Sequence, residues 1–157
     1  MLDELRDLYQ EVILDHGRHP RNFGAPAHHT CQAHGNNPMC GDRVTVYLTL
    51  DEQGVIRDAH FDGRGCAIST ASASMMTEIV KGMTLPQVEK LFARFHQLCT
   101  VGKAEGEVGD VEDEALERLQ VLSGVREFPV RVKCATLPWH TLKAAVAGND
   151  DKEVTTE

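Results

Sequence analysis

From Val44 the chain alternates, with Val44, Val46, Leu48 and Leu50 on one side and Thr45, Tyr47 and Thr49 on the other. That period of two is the mark of a half-buried strand. Asp51-Glu52-Gln53-Gly54 supplies turn residues, and Val55 to Asp62 then predicts a second strand with Val55, Arg57, Ala59 and Phe61 on one side. A four-residue connection makes the two a hairpin. Upstream, residues 3–15 place Leu5, Leu8, Val12 and Leu14 near helical spacing, and the pattern stops at His16-Gly17 with Pro20 shortly after. This predicts an N-terminal helix. Residues 18–43, including HPRNFG and GNNPMCGD, are rich in His, Pro, Asn and Gly and read as irregular, with HTCQAH as a candidate edge strand.

Gly63-Arg64-Gly65-Cys66 breaks the second strand, and Ala67 to Lys81 follows with Ile68, Met75, Met76 and Ile79 at helical spacing before Gly82. Cys66 is thereby placed at a helix N-terminus. Thr84-Leu85-Pro86-Gln87 has the form of a capping box with Pro in the first turn, opening a helix through about Leu98. Residues 99–114, with three Gly and a cluster of acids, read as a mobile surface loop. A short helix from about Glu112 to Leu122 is expected to end at Ser123-Gly124. Pro129 then forces extension, and RVKCATLPWHTLKAAVA reads as a loop carrying Cys134 into a final helix. The expected fold is α+β: a small antiparallel sheet of about three strands packed against helices, one domain over 1–148. The polar tail 149–157 is expected to be disordered.

Composition narrows the function. The chain has 41% hydrophobic and 25% charged residues and a formal net charge of −8. No apolar run approaches the roughly 20 residues of a membrane helix, and the N-terminus lacks the basic and apolar regions of a secretory signal. A cytoplasmic protein is expected. The acidic balance argues against nucleic acid, whose binding needs clustered Lys and Arg. Five cysteines, an odd number, in such a chain read as metal ligands or reactive thiols rather than a disulfide framework.

Cys40 and Asp42 lie two apart in a Pro- and Gly-bounded loop, Cys66 between strand and helix, and Cys134 before the last helix. Side chains at element junctions are free to converge, and three thiolates with one carboxylate suit tetrahedral zinc, although iron is accepted by the same donors. The spacing matches no standard CxxC knuckle, and three buried, reduced cysteines are the alternative. The local chemistry leans toward reactivity. A helix N-terminus stabilises a thiolate at Cys66, and Arg131 and Lys133 do the same beside Cys134. Other candidates are weaker. In the run His28, Cys31, His34, strand geometry puts His28 and Cys31 on opposite faces. Cys99 reads as a bystander or core thiol, Met75 and Met76 as core. Trp139 and His140 either pack near the site or cover the last helix.

Three stretches, NNPMCGDR, GRGCAISTASASMMTE and RVKCATLPWHTL, together with HPRNFG, resemble the motifs of the SufU branch of the IscU-like scaffold superfamily, in the same order across nearly the whole chain. The long segment of about 99–124 resembles the insertion that marks that branch. So does Lys133, where the scaffold branch typically carries a His available as a ligand. The resemblance implies zinc held by Cys40, Asp42, Cys66 and Cys134, with Cys40 taking persulfide sulfur from a SufS-type cysteine desulfurase. Arg131 is the candidate to hold the displaced thiolate or organise the interface. Downstream cluster-assembly proteins would receive the sulfur. The alternative within the superfamily is a scaffold on which a [2Fe–2S] cluster is built by the same cysteines.

Overall fold

A computed structural model describes residues 2–39, 41–101, 110–147 and 153–155. Helix α1 (Leu2–Arg18) leads to strands β1 (Cys31–Asn37), β2 (Asp42–Leu50) and β3 (Ile56–Arg64). Helices α2 (Ala67–Val80), α3 (Leu85–Thr100) and α4 (Asp110–Leu119), a 3₁₀ segment (Gln120–Glu127), helix α5 (Pro129–Val146) and a short β4 (Glu153–Thr155) complete the order. The sheet runs β3-β2-β1-β4. Its first three strands are antiparallel, as the sequence predicts, and β4 adds in parallel to β1. Helix α5 lies over β1 and β2, α2 over β3, and α1 packs on α2. One continuous core joins Val44, Val46 and Leu48 of the sheet to Met75 and Met76 of α2, Phe95 and Leu98 of α3, and Trp139 and Leu142 of α5.

Local chemistry explains most boundaries. The predicted capping box opens α3: Gln87 N–H donates to Thr84 Oγ1 at 3.4 Å and Thr84 N–H to Gln87 Oε1 at 2.9 Å. Val44, Val46 and Leu48 are buried on the expected face of β2.

Four expectations are corrected. In β3 the buried set is Ile56, Ala59 and Phe61, with Arg57 exposed. Leu50 pairs with Ile56 but Thr49 with Asp58, so Arg57 is an extra residue that inverts the alternation. In α1, Leu14 is 44% exposed and His16 is buried in its place, four residues after Val12. The loop expected before the last helix is helical from Pro129, so Cys134 lies within α5. Pro129 does extend Phe128, at φ −133° and ψ 93°, but its own fixed φ starts the helix. Finally, within the tail expected to be disordered, Glu153–Thr155 pairs with His34–Asn36. Backbone groups on the outer side of β1 accept a strand whatever its polarity, so hydrophobic patterning does not reveal it. The loop reading of 99–114 falls largely on residues outside those described, and α4 begins at Asp110.

Candidate metal centre

The site forms where β2 starts and β3 ends. Pairing of Arg43 with Arg64 places the end of β3 beside the first residue of β2, Asp42. Gly63 permits this approach: its φ is +134°, and a Cβ there would collide with the backbone of Arg43 and Val44. The chain leaves β3 through Gly65, and Cys66 becomes the N-cap of α2, with its sulfur accepting from Ser69 N–H at 3.5 Å. Asp42 is fully buried and takes the Cys66 backbone N–H on Oδ1 at 2.8 Å, while its Oδ2 lies 3.8 Å from Cys66 Sγ.

Cys134, also fully buried, comes down from the second turn of α5. Ligand atoms of Asp42, Cys66 and Cys134 all lie within 4.8 Å of one another, the group of metal-binding type found among the described residues. Burial of three such groups together is what a cation would compensate. The fourth candidate, Cys40, lies outside the described residues. Its chain neighbours are described: Met39 is 69% exposed, and Gly41 N–H closes the β1–β2 connection onto the Asn37 carbonyl at 2.9 Å.

Electrostatics favours the thiolate form of Cys66. A hydrogen bond with the Cys134 thiol, and the backbone N–H groups of Ser69 and Ile68, bring its thiol down to about 6, against burial and the Asp42 charge, which push it up. Cys99 is the opposite case, fully buried in the core and pushed up to about 12 by burial. It is a structural thiol.

A buried relay braces the Cys134 turn. Trp139 Nε1–H donates to Ser72 Oγ at 3.2 Å, and Ser72 in turn donates to the Ala135 carbonyl at 2.5 Å. Sequence reading missed Ser72, a hydroxyl on a buried helix face that declares itself only through its partners. Trp139 is packed between α5 and α3, its ring 5.2 Å from Phe95 and 6.2 Å from Phe92, and His140 stands edge-on to Phe92 at 4.8 Å. Both serve the helix packing. Burial, with the positive charges of His96 and Lys143, lowers the affinity of His140 for a proton. Arg131 is exposed on the first turn of α5. His34 Nδ1 pairs with Thr45 Oγ1 at 2.8 Å, His28 is exposed, and neither these nor Cys31 joins the cluster.

The chain belongs to the family of the NifU-like N terminal domain, whose model matches residues 8–156. Among its relatives, the zinc-dependent sulfurtransferase SufU of Bacillus subtilis (strain 168) is 41% identical over 91% of this chain and 92% of its own length. The iron–sulfur cluster assembly scaffold protein IscU of Thermotoga maritima is 36% identical over 88% of this chain and 92% of its own. A crystal structure described as a putative iron–sulfur cluster assembly scaffold protein for the SUF system, from Fervidobacterium islandicum AW-1, superposes with a TM-score of 0.76 at 32% identity. It covers 87% of this chain and 94% of that one.

Proposed function

We propose that this protein is a zinc-dependent sulfurtransferase that accepts persulfide sulfur from a SufS-type cysteine desulfurase and hands it to cytoplasmic iron–sulfur cluster assembly. The observation that carries the reading is the convergence of Asp42, Cys66 and Cys134 at the sheet end from which the Cys40 connection leaves. Similarity to the Bacillus sulfurtransferase supports it. No helix among the described residues is long and apolar enough to cross a membrane.

Two thiols and a carboxylate, with Cys40 as fourth ligand, form a donor set of sulfur and oxygen that fits zinc. Bound zinc would keep its cysteines as thiolates at neutral pH. The transfer itself belongs to Cys40. Its thiolate attacks the terminal sulfur of the desulfurase persulfide; a sulfur–sulfur bond forms at Cys40, the bond to the partner's cysteine breaks, and that cysteine leaves as thiolate. Arg131 lies three residues before Cys134, one helical turn along the same side of α5, and supplies a positive charge for the departing thiolate. Met39 beside Cys40, and Phe128 and Val130 at the start of α5, are 69%, 59% and 49% exposed and offer apolar area for the partner.

The test is the rate at which a cysteine desulfurase makes alanine, with reductant and without iron, with and without the zinc-loaded protein. A large zinc-dependent rise that Cys40→Ser abolishes is expected. No rise, with an iron–sulfur chromophore appearing once iron is supplied, would replace this reading with that of a [2Fe–2S] scaffold.

A further inference from the structure

Arg43 of β2 stands directly opposite Arg64 of β3, at the end of the sheet where Asp42, Cys66 and Cys134 cluster. Opposed residues of an antiparallel pair share a face, with Cβ atoms about 4.5–5.5 Å apart. Asp42 and Val44, on either side of Arg43, are buried toward the helices, so the two arginines lie on the other face of the sheet, and both are exposed. Like charges set opposite each other cost stability. Nothing among the described residues offsets that cost: the ion pairs there engage Asp15, Asp51, Asp58 and Glu78. Asp62, two residues before Arg64 on the same face, accepts instead from the Tyr47 hydroxyl at 3.0 Å.

The place of the pair in the fold limits its partner. Arg43 follows Asp42 directly and Arg64 lies two residues before Cys66, so at strand spacing each Cα stands within roughly 7 Å of that of a cluster residue. The chain carries a formal net charge of −8, which makes a cationic pair at this end a local exception that attracts an acidic surface and turns it toward the site. A protein that brings sulfur to Cys40 must lie against the end of the sheet from which the β1–β2 connection leaves. A standard interface covers about 800 Å² on each partner, enough to span from that connection to the arginine pair.

We propose that Arg43 and Arg64 dock the sulfur donor through a carboxylate-rich surface beside its persulfide cysteine. The inference rests on the sulfurtransferase reading above and adds to it a contact separate from the transferring thiol. The pair touches no reacting atom and acts on how fast, and in which orientation, the donor arrives. A guanidinium takes a carboxylate through two parallel N–H···O bonds, and two guanidiniums side by side hold an acidic surface in register. The donor's carboxylates also relieve the repulsion between the arginines, so the cost to the free protein is offset in the complex.

The experiment measures alanine formation by the cysteine desulfurase of the same organism against the concentration of the zinc-loaded full chain, at low and at physiological ionic strength. It compares the unaltered protein with Arg64→Glu and with the double variant Arg43→Ala, Arg64→Ala, after zinc content and thermal unfolding have been matched. Arg64→Glu sets opposite charges across the strand pair and should unfold at a higher temperature than the unaltered protein. It should nonetheless need roughly 3–30-fold more protein for half-maximal stimulation at low salt, with the rate at saturation unchanged and a shallower salt dependence. The double alanine variant should shift the same way without losing stability, and either variant carries the test if the other does not fold. A pair kept for the fold would instead cost stability when removed. That outcome, or half-saturation and salt dependence equal to those of the unaltered protein, overturns the docking role alone. Absence of any stimulation by the unaltered protein overturns the sulfurtransferase reading and this inference with it.

Discussion

Helix α5 carries Cys134, and where it crosses the sheet it rests on a residue without a side chain. Replacing Gly35 by Ala tests how far this packing sets the site. A methyl at Gly35 would collide with Thr141 Oγ1 and stand 3.1 Å from Leu137 Cδ1 and 3.2 Å from Thr141 Cβ. The Thr141 hydroxyl is held there by donating to the Leu137 carbonyl at 2.8 Å, and must leave that position. Losing the bond costs about 1 kcal/mol, and forcing the helix outward costs about 1–3 kcal/mol more. At roughly 2–4 °C per kcal/mol for a domain of this size, the melting temperature should fall by about 4–16 °C. Urea unfolding followed through the single tryptophan, Trp139, gives the free energy directly. Thr141→Ala removes the colliding atom but not the Cβ, so Gly35→Ala should cost less in that background, with a coupling of about 1 kcal/mol. Because Thr141 lies two turns beyond Cys134 on one helix, Gly35→Ala should also weaken zinc binding. A cost under about 0.5 kcal/mol, or additive single and double variants, would refute the argument.

Three further outcomes follow from the same contacts. Ser72→Ala strands the Trp139 indole N–H and one bond to the Ala135 carbonyl; a loss of roughly 1–3 kcal/mol is expected in urea, and an unchanged midpoint would show that the relay does not brace α5. His16 is held below its ordinary titration range mainly by burial, with Arg21 adding to the effect, and Glu78 and Asp15 opposing it. Above pH 6.5, the ordinary histidine value, His16 is neutral both folded and unfolded; as pH falls below that, the unfolded chain takes up the proton first. Stability then drops by up to about 1.4 kcal/mol per pH unit, and His16→Gln should remove that part of the acid dependence, with parallel profiles counting against it. Cys99, buried and pushed up to about 12, should resist alkylation until the chain unfolds; peptide mass analysis after iodoacetamide at neutral pH reads this, and early labelling would contradict its place in the core.

Much of this architecture is legible in the residues themselves. The alternation from Val44 to Leu48 and the Thr84 to Gln87 cap are local devices, and each holds in three dimensions. Patterning fails where a single residue or a distant partner changes the rule. Arg57 shifts the phase of β3 by one, so Val55 is taken for the core residue when Ile56 is. Pro129 makes the start of α5 look like a loop, yet it is at a position where a helix needs no N–H, and Pro138 is accommodated inside the helix. The same holds for the site. Asp42, Cys66 and Cys134 stand at motif positions and lie together in three dimensions, whereas Ser72 matters through a partner far along the chain. His16 is a polar residue on an apolar face, buried because Ser74 meets it at 2.7 Å from α2.

The central claim, that Cys40 accepts sulfur beside a metal-binding cluster, is tested most directly by the mass of the peptide that carries it. The zinc-loaded protein is mixed with a cysteine desulfurase and L-cysteine, trapped by alkylation and digested. The Cys40 peptide should gain the mass of one sulfur atom while the Cys99 peptide does not, and Cys40→Ser should take up none. A Cys40 peptide that remains unmodified while the desulfurase holds its own persulfide would contradict it.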